Sequence, residues 1–231
     1  MTEGRPLDVR RLGRVPYDEA LALQRVLVEE RRAGKIGDTL LLLEHPHVLT
    51  LGVRRGGGRG NILASPERLA ELGVDVFEAG RGGDVTYHGP GQLVGYPIID
   101  LRPDRQDVHR YVRDIEDVMI RTCAEFGIAA ERISGFSGAW VQDAQRGPEK
   151  VAAIGVRIAR WITSHGFALN VNSDLEFFRL IVPCGISDRG VTSLQALLGR
   201  PIEMPSVEDA VVDHFCAVFE RQLKPSPVGV S

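Results

Sequence analysis

The sequence predicts one globular domain of the α/β or α+β sandwich class, spanning residues 1–231. Its 231 residues, 43% of them hydrophobic and 26% charged, are enough to form one sizeable core. Segments with helical periodicity lie towards both ends, whereas short runs rich in leucine and valine dominate the middle, which is typical of a sheet covered by helices. Residues from about 186 to 231 are a candidate small C-terminal subdomain packed on the main sheet.

The first half of the chain predicts two helices and five strands. A helix over residues 17–33 begins with acidic residues and is followed by Gly34 as its C-terminal cap. A shorter helix begins after Ser65, with a proline in its first position, and ends at Gly73. The predicted strands are short apolar runs at residues 39–43, 48–51, 74–78, 85–87 and 93–101.

The second half predicts three helices and four strands. Apolar residues from Val108 to Phe126 recur at helical spacing until Gly127, which makes this the clearest helix of the chain. Strands are predicted at residues 139–142, 150–158, 163–171 and 180–182, and helices at 192–198 and 206–223.

Charge and cysteine content exclude several classes of protein. The net charge of −3 gives no electrostatic support for a nucleic-acid partner. The longest unbroken apolar run, residues 215–219, is far shorter than the roughly 18 residues that a membrane span needs, and the N-terminus lacks the apolar segment of a signal peptide. Three widely spaced cysteines favour a reducing compartment over a disulfide framework. We therefore expect a cytoplasmic protein with neither a nucleic-acid nor a membrane partner.

Residues 81–92, RGGDVTYHGPGQ, form the densest unusual stretch. Glycines at this density let the backbone approach a ligand and expose its N–H groups, and His88 could orient a substrate or titrate. The same residues would also suit two tight turns that join strands, with His88 hydrogen-bonded and without a functional role. The pattern by itself leaves both interpretations open.

Lys150 and Cys184 are the other residues that could carry chemistry. Of 28 basic residues only three are lysines, so 25 are arginines, and lysine can give up a proton where arginine effectively cannot. A lysine whose stem lies on the surface is the alternative. Cys184 lies in a turn between a proline and a glycine, whereas Cys123 and Cys216 lie in apolar helical stripes typical of core residues.

Two further groups of residues are less specific. The glycine-rich loop over residues 54–61 carries Arg54, Arg55 and Arg59, and could either steer an anionic carrier protein or be a solvated loop. His45 and His47 lack other ligands at metal-binding spacing, so no metal is expected.

Several segments together resemble the lipoyl(octanoyl) transferases. They are LLLLEHPHVLTLG from Leu40, RGGDVTYHGPGQLVGYP from Arg81, KVAAIGVRI from Lys150, SHGFALNVN from Ser164 and VPCGISDRGVTSL from Val182. The resemblance covers roughly residues 16–199 in the expected order. It implies the biotin/lipoate protein ligase-like fold, with a mixed sheet flanked by helices. Asp84 and the segment QDAQRGPE before Lys150 depart from the pattern, where a surface loop is expected.

The resemblance implies an acyltransferase that carries out the first step of endogenous protein lipoylation. The donor would be octanoyl-acyl carrier protein, and the acceptors would be lysine amines of 2-oxo acid dehydrogenase lipoyl domains and of the glycine cleavage H protein. An octanoyl or lipoyl group would pass through a thioester on Cys184. Lys150 would lower the pKa of that thiol and act as general acid and base. No cofactor or metal is implied.

The resemblance also implies three substrate-binding strips. They consist of Arg81, Gly82, Gly83, Asp84, Val85, Thr86, Tyr87 and His88, then Ala153, Ile154 and Gly155, then Gly166, Phe167 and Ala168. Backbone N–H groups at Gly82, Gly83 or Gly185 are candidates for an oxyanion hole.

Two rival functions belong to other classes. An ATP-dependent lipoate or biotin ligase would share the fold, and the loop over residues 54–61 superficially resembles an adenylate-binding loop, but a ligase has no need for a thiol at Cys184. A non-enzymatic module that only holds acyl carrier protein would need neither Cys184 nor Lys150.

Overall fold

The computed structural model describes residues 5–53, 59–182 and 189–224. Its helices are α1 (Tyr17–Arg32), α2 (Pro66–Glu71), α3 (Val108–Glu125), α4 (Leu194–Leu198) and α5 (Met204–Phe219). Its strands are β1 (Arg5–Arg14), β2 (Asp38–Glu44), β3 (Val48–Leu51), β4 (Asp75–Glu78), β5 (Thr86–His88), β6 (Gln92–Ile98), β7 (Glu131–Ile133), β8 (Phe136–Asp143), β9 (Gly147–Ala159), β10 (Ile162–Asn170), β11 (Gly190–Val191) and β12 (Arg221–Leu223). Short 3-10 turns cover Arg59–Asn61 and Leu175–Leu180.

The main sheet is mixed and has the strand order β12-β1-β2-β6-β10-β9-β8-β7, with β11 pairing to β9. Strand β1 runs parallel to both of its neighbours, and β11 runs parallel to β9. The pairings from β2 through β7 are antiparallel. This is the mixed sheet flanked by helices that the sequence predicted.

Helices cover both faces of this sheet, and that explains the unbroken leucine run of β2. Leu40 and Leu42 point into the core beneath α3 and α5, whereas Leu41 and Leu43 point into the core beneath α1. All four are buried. A strand with two covered faces has no solvent side on which to place polar residues, so its sequence does not alternate.

A smaller sheet, in the order β4-β3-β5, packs with α2 and the turn Leu175–Leu180 around a separate apolar cluster. Ser65 caps α2 by accepting a hydrogen bond from the Arg68 N–H. The segment Arg81–Asp84 leads into β5 and contacts the main sheet, because the Gly82 N–H donates to the Val156 carbonyl at 2.9 Å. The space between the two sheets is where the site lies.

Two buried carboxylates fix the edges of the main sheet. Asp38 accepts hydrogen bonds from Arg31 at 2.8 Å and Arg221 at 2.9 Å, which joins α1, β2 and β12. Glu116 on α3 is fully buried and accepts from Arg113 at 2.7 Å and from the Gly138 N–H at 3.1 Å. The second carboxylate thereby holds the start of β8, where Phe136 and Ser137 reach the site.

Several sequence predictions of local structure are wrong. The strand predicted at residues 180–182 is the end of a 3-10 turn followed by an isolated bridge from Ile181 to Ile62. The last helix ends at Phe219, and residues 221–223 form β12 instead. Strands β1, β7, β11 and β12 were not expected. Each lacks a sustained apolar alternation, and β1, β11 and β12 depend on partners that are distant in the sequence, whereas β7 is a short strand paired with the adjacent β8.

The end of the described chain is integrated into the main architecture. Helix α5 shares its core cluster with α3, and β12 pairs with β1. A separate C-terminal subdomain from about residue 186 stays a prediction. No helix in the described ranges is long and apolar enough to cross a bilayer.

Candidate active site

The three predicted strips converge on one cavity of about 340 Å³ between the two sheets. The lining residues that the sequence predicted are Arg81, Gly83, Asp84, Thr86, His88, Lys150, Ala153, Ile154, Gly155, Gly166, Phe167 and Ala168. They come from β5 and the segment before it, and from the hairpin of β9 and β10, which lies about 60 residues later in the sequence. The fold thus assembles distant segments into one site.

Arg81 crosses directly over β9 because Gly155 has no side chain. A Cβ at Gly155 would lie 3.0 Å from Cδ of Arg81 and 3.2 Å from the Gly82 carbonyl oxygen. The guanidinium continues towards β3, where Nη2 donates to the Thr50 carbonyl at 2.7 Å and to the Thr50 hydroxyl at 2.8 Å. Arg81 is only 7% exposed, so a buried positive charge lies at this wall of the cavity.

A chain of buried hydrogen bonds continues from Arg81 across the site. The Thr50 hydroxyl lies 3.4 Å from Nε2 of His88, and Nδ1 of His88 donates to Oε1 of Gln92 at 2.7 Å. Nε2 of Gln92 donates to Oδ1 of Asn170 at 2.9 Å. Nδ1 therefore carries a proton, and Nε2 is the acceptor when the ring is neutral. Burial, followed by the nearby His45 and Arg81, lowers the pKa of His88 to about 3.

The same chain reaches the strand that carries Lys150. Nδ2 of Asn170 donates to the Thr192 carbonyl at 3.0 Å, and the Thr192 N–H donates to the Lys150 carbonyl at 3.0 Å. The Lys150 side chain lines the cavity and is 9% exposed. Its Nζ lies 4.6 Å from the ring centroid of Trp140, in cation–π geometry. The alternative of a surface lysine is therefore wrong, because the ammonium group is enclosed.

The described cysteines lie away from this cavity. Cys123 on α3 is fully buried, and burial raises the pKa of its thiol to about 12. Cys216 on α5 is half-buried, and burial also raises its pKa. Both are core residues, as the helical stripes predicted. Cys184, together with Pro183 and Gly185, lies outside the described residues, so its predicted role stays a prediction.

Some residues of the predicted strip 81–88 do not lie where the sequence predicted. Gly82 does not line the cavity, and its N–H is already bound to β9, which leaves Gly83 as the described oxyanion candidate. Val85 and Tyr87 are fully buried within the smaller sheet rather than at the cavity. Asp84 was expected in a surface loop, but it is buried and accepts from Nδ2 of Asn61 at 2.8 Å.

The basic loop is described only in part. Arg54 and Arg55 lie outside the described residues, and Arg59 is exposed at the start of a 3-10 turn. Its role in steering a carrier protein stays a prediction.

Six residues that the sequence did not single out also line the cavity. The additional lining residues are Tyr17, Tyr96, Gly135, Phe136, Ser137 and His165. His165 lies within SHGFALNVN, one of the segments that carries the resemblance, so a signal was present. Tyr17 lies in the first turn of α1, where an aromatic residue has no distinctive pattern.

His45 supports this wall from behind. Its Nδ1 donates to the Val15 carbonyl at 2.7 Å, and its Nε2 accepts from the Tyr96 hydroxyl at 2.8 Å. Burial lowers the pKa of His45 to about 4. His47 lies apart from it, with Nδ1 2.8 Å from the Tyr87 hydroxyl. Among the described residues, no group of three or more histidine, cysteine or carboxylate side chains is arranged to hold a metal ion.

Comparison with known proteins identifies close sequence relatives. Residues 16–216 match the family described as the lipoyl protein ligase A/B catalytic domain. An octanoyltransferase from Myxococcus xanthus is 54% identical over 223 residues, which are 96% of this chain and 62% of that protein, so the chain spans less than two thirds of that relative. An octanoyltransferase from Acidobacterium capsulatum is 53% identical over 227 residues, covering 94% of this chain and 92% of that protein.

Solved structures agree on the fold. A bipartite lipoate protein ligase from Thermoplasma acidophilum superposes with a TM-score of 0.69 at 14% identity, covering 100% of this chain and 89% of that one. The biotin protein ligase from Aquifex aeolicus, in complex with biotin and ATP, gives a TM-score of 0.55 at 13% identity, with 92% and 70% coverage. The predicted biotin/lipoate protein ligase-like fold is confirmed.

The family match over residues 16–216 includes every strip that lines the cavity. The two relatives, which are 54% and 53% identical to this chain, are both octanoyltransferases. The chain therefore belongs to the lipoyl protein ligase A/B catalytic domain family, as a transferase of the octanoyltransferase type.

Proposed function

We propose that this chain transfers an octanoyl group from acyl carrier protein to the lysine amine of lipoyl domains and of the glycine cleavage H protein. The acyl group passes through a thioester on Cys184, within one cytoplasmic catalytic domain of residues 1–231. The observation that carries the proposal is the enclosure of Lys150 at the cavity that the three strips surround.

The cavity has the properties that an acyl group requires. Apolar and backbone groups of Ala153, Ile154, Phe167 and Ala168 line it, and polar side chains lie around them. A transferring thioester also needs hydrogen-bond donors near its carbonyl oxygen. Gly83, with φ of +91°, has a backbone that glycine adopts readily, and it lines the cavity.

The identity of the nucleophile follows from the three cysteines of the sequence. The thiolate is the reactive form of cysteine, and burial disfavours it at Cys123 and Cys216. Neither thiol lines the cavity. Cys184 remains, and in the sequence it stands between Pro183 and Gly185 within VPCGISDRGVTSL, one of the segments that carry the resemblance.

The proposed reaction has two steps, acylation of Cys184 and transfer of the acyl group to the acceptor amine. The Cys184 thiolate attacks the donor thioester carbonyl, and the donor's sulfur leaves as a thiolate that takes a proton from the Lys150 ammonium. The Lys150 amine then accepts a proton from the acceptor amine as that amine attacks the acyl-enzyme. The amide forms, and Cys184 leaves as a thiolate beside the restored ammonium.

The test is an intact-mass measurement on the purified protein mixed with octanoyl-acyl carrier protein. We expect one octanoyl increment without ATP, and its loss when a lipoyl domain is added. Cys184→Ala should abolish the increment, whereas Cys123→Ala and Cys216→Ala should retain it. An increment that persists in Cys184→Ala refutes the nucleophile. Transfer that needs ATP indicates a ligase, and binding without an adduct or transfer indicates a carrier-binding module.

Lys150 is tested by its substitution with arginine. Lys150→Arg keeps a positive charge but cannot accept a proton, so acyl-enzyme should still form in part while transfer to the lipoyl domain falls at least about 100-fold. Transfer at the wild-type rate would exclude the base role.

A further inference from the structure

The main sheet changes its pairing beside Lys150. Strands β9 and β10 are paired as far as Ala152 opposite Leu169, and β10 then leaves β9. Further along the same edge of β9, strand β11 takes the place of β10, with Val191 opposite Lys150. Lys150 therefore lies where one strand leaves β9 and another joins it.

Asn170, the last residue of β10, connects β10 to the segment of β11 across this gap. Its Nδ2 donates to the Thr192 carbonyl at 3.0 Å, and the Thr192 N–H donates to the Lys150 carbonyl at 3.0 Å. Thr192 is the residue that follows β11. One amide side chain thus joins the end of β10 to the segment that flanks Lys150.

The side-chain amides of Gln92 and Asn170 are fixed in one orientation. Nε2 of Gln92 donates to the Tyr87 carbonyl at 3.2 Å and to Oδ1 of Asn170 at 2.9 Å. A backbone carbonyl lies at each end of this pair, and a carbonyl only accepts, so turning either amide would bring two oxygens together. Asn170 is 4% exposed and Gln92 is 2% exposed. A hydrogen bond lost here would therefore leave a buried polar group unpaired.

The segment that Asn170 holds is the one that leads away from the proposed nucleophile. Strand β11 begins at Gly190, six residues after Cys184 in the sequence. Its pairing with β9 sets the position of this segment relative to Lys150. Strand β11 has only two residues, fewer than the roughly 3–10 of most strands, so a side-chain bond supplies much of its support.

We propose that Asn170 is a positioning residue, which holds the β11 segment against β9 and thereby sets the distance between Lys150 and Cys184. Asn170 is not among the described residues that line the cavity, so it acts through this segment and does not contact the acyl group. A misplacement of about 1 Å can cost about 100-fold in rate, so loss of the Asn170 bond should slow acylation. This inference rests on the proposed function.

The experiment compares Asn170→Ala with Asn172→Ala in acyl-enzyme formation from octanoyl-acyl carrier protein, followed over time by intact mass. Asn172 is the matched control, because its Nδ2 also donates to a backbone carbonyl, that of Ile202 at 2.7 Å, but holds the segment before α5. In Asn170→Ala the maximal rate should fall at least about tenfold, whereas the donor concentration that gives half of it should change less than about twofold. Asn172→Ala should keep both values within about twofold of the wild type.

Alkylation by iodoacetamide gives a second readout, which a merely structural role would not change. In the proposed function Lys150 favours the Cys184 thiolate, so a displaced Lys150 should slow alkylation of Cys184 at pH 7 at least about threefold in Asn170→Ala. Peptide mass spectrometry separates this product from alkylation of Cys123 or Cys216. Asn172→Ala should be alkylated at the wild-type rate.

Asn170→Asp decides the question if the alanine variant unfolds. It keeps the shape of the side chain and the oxygen that accepts from Gln92, and it removes only the donor to Thr192; Asn172→Asp is its control. Urea unfolding establishes that each variant is folded. A wild-type rate of acylation in a folded Asn170 variant, or an equal loss of rate in the Asn170 and Asn172 variants, overturns the inference. Failure of the wild-type protein to form any octanoyl adduct would instead refute the proposed function.

Discussion

Acid should destabilise this protein because three histidines around the site are buried and uncharged. His45 and His165 have a pKa lowered to about 4, and His88 to about 3, in each case chiefly by burial. An unfolded histidine titrates near 6.5, so the unfolded chain binds more protons as the pH falls. The stability that these groups contribute is complete above pH 6.5 and is lost as the pH falls towards their folded values.

The size of the effect follows from these values. Between pH 7.5 and pH 5.5, each histidine that protonates only on unfolding removes about 1.4 kcal/mol of unfolding free energy. Three of them remove about 4 kcal/mol, a large share of the ~5–15 kcal/mol that stabilises a typical domain. Their closeness helps to keep the folded rings neutral over this range, because the rings of His45 and His88 are 5.8 Å apart and a charge on one opposes a charge on the other.

The assay is urea unfolding followed by far-ultraviolet circular dichroism at pH 7.5, 6.5 and 5.5. His45→Asn should destabilise the protein at every pH but reduce the difference between pH 7.5 and 5.5 by about a third. His109→Asn, at an exposed position on α3, is the matched control and should leave the difference unchanged. A stability that is flat across this range, or a difference that His45→Asn leaves intact, would refute the reasoning. Carboxylates that titrate in the same range are common to all variants and cancel in the comparison.

Three other predictions concern single contacts. Gly155→Ala places a Cβ 3.0 Å from Cδ of Arg81, so it should displace Arg81 and slow acyl-enzyme formation in rapid-mixing experiments. The free energy of unfolding should fall by only about 1–3 kcal/mol. An unchanged rate of acyl-enzyme formation contradicts this. Asp38→Ala leaves the buried Arg221 without its carboxylate and should lower the free energy of unfolding in urea by about 3–5 kcal/mol. Asp143→Ala, whose partner Arg146 is exposed, should lower it much less. Ser65→Ala removes the N-cap of α2 and should lower the free energy of unfolding by about 1 kcal/mol. An unchanged free energy of unfolding would contradict a stabilising role for this cap.

Local sequence signals determined the parts of the fold whose structure depends on nearby residues. The apolar stripe of Val108–Glu125 and the acidic start of α1 predicted α3 and α1 almost to the residue. The leucine run of β2 correctly indicated a buried strand, because full burial on two faces leaves a mark in the sequence itself. The glycines of residues 81–92 likewise indicated a backbone that approaches other atoms closely, and a Cβ at Gly91 would lie 2.4 Å from the Asn172 carbonyl oxygen.

Contacts between distant residues were decided only by the tertiary structure. Strand β1 carries four arginines in ten residues and has no sustained apolar alternation, so it becomes a strand only because β2 and β12 pair with it. The buried position of Lys150 depends on Trp140 and on the strands beside β9, none of which its own neighbours in the sequence specify. His165 lines the cavity only because β10 lies against α1, whose Gln24 accepts from its N–H, and against β6, whose Tyr96 contacts its ring. The sequence therefore determined which segments could line a site, and long-range packing decided how large that site is and where it ends.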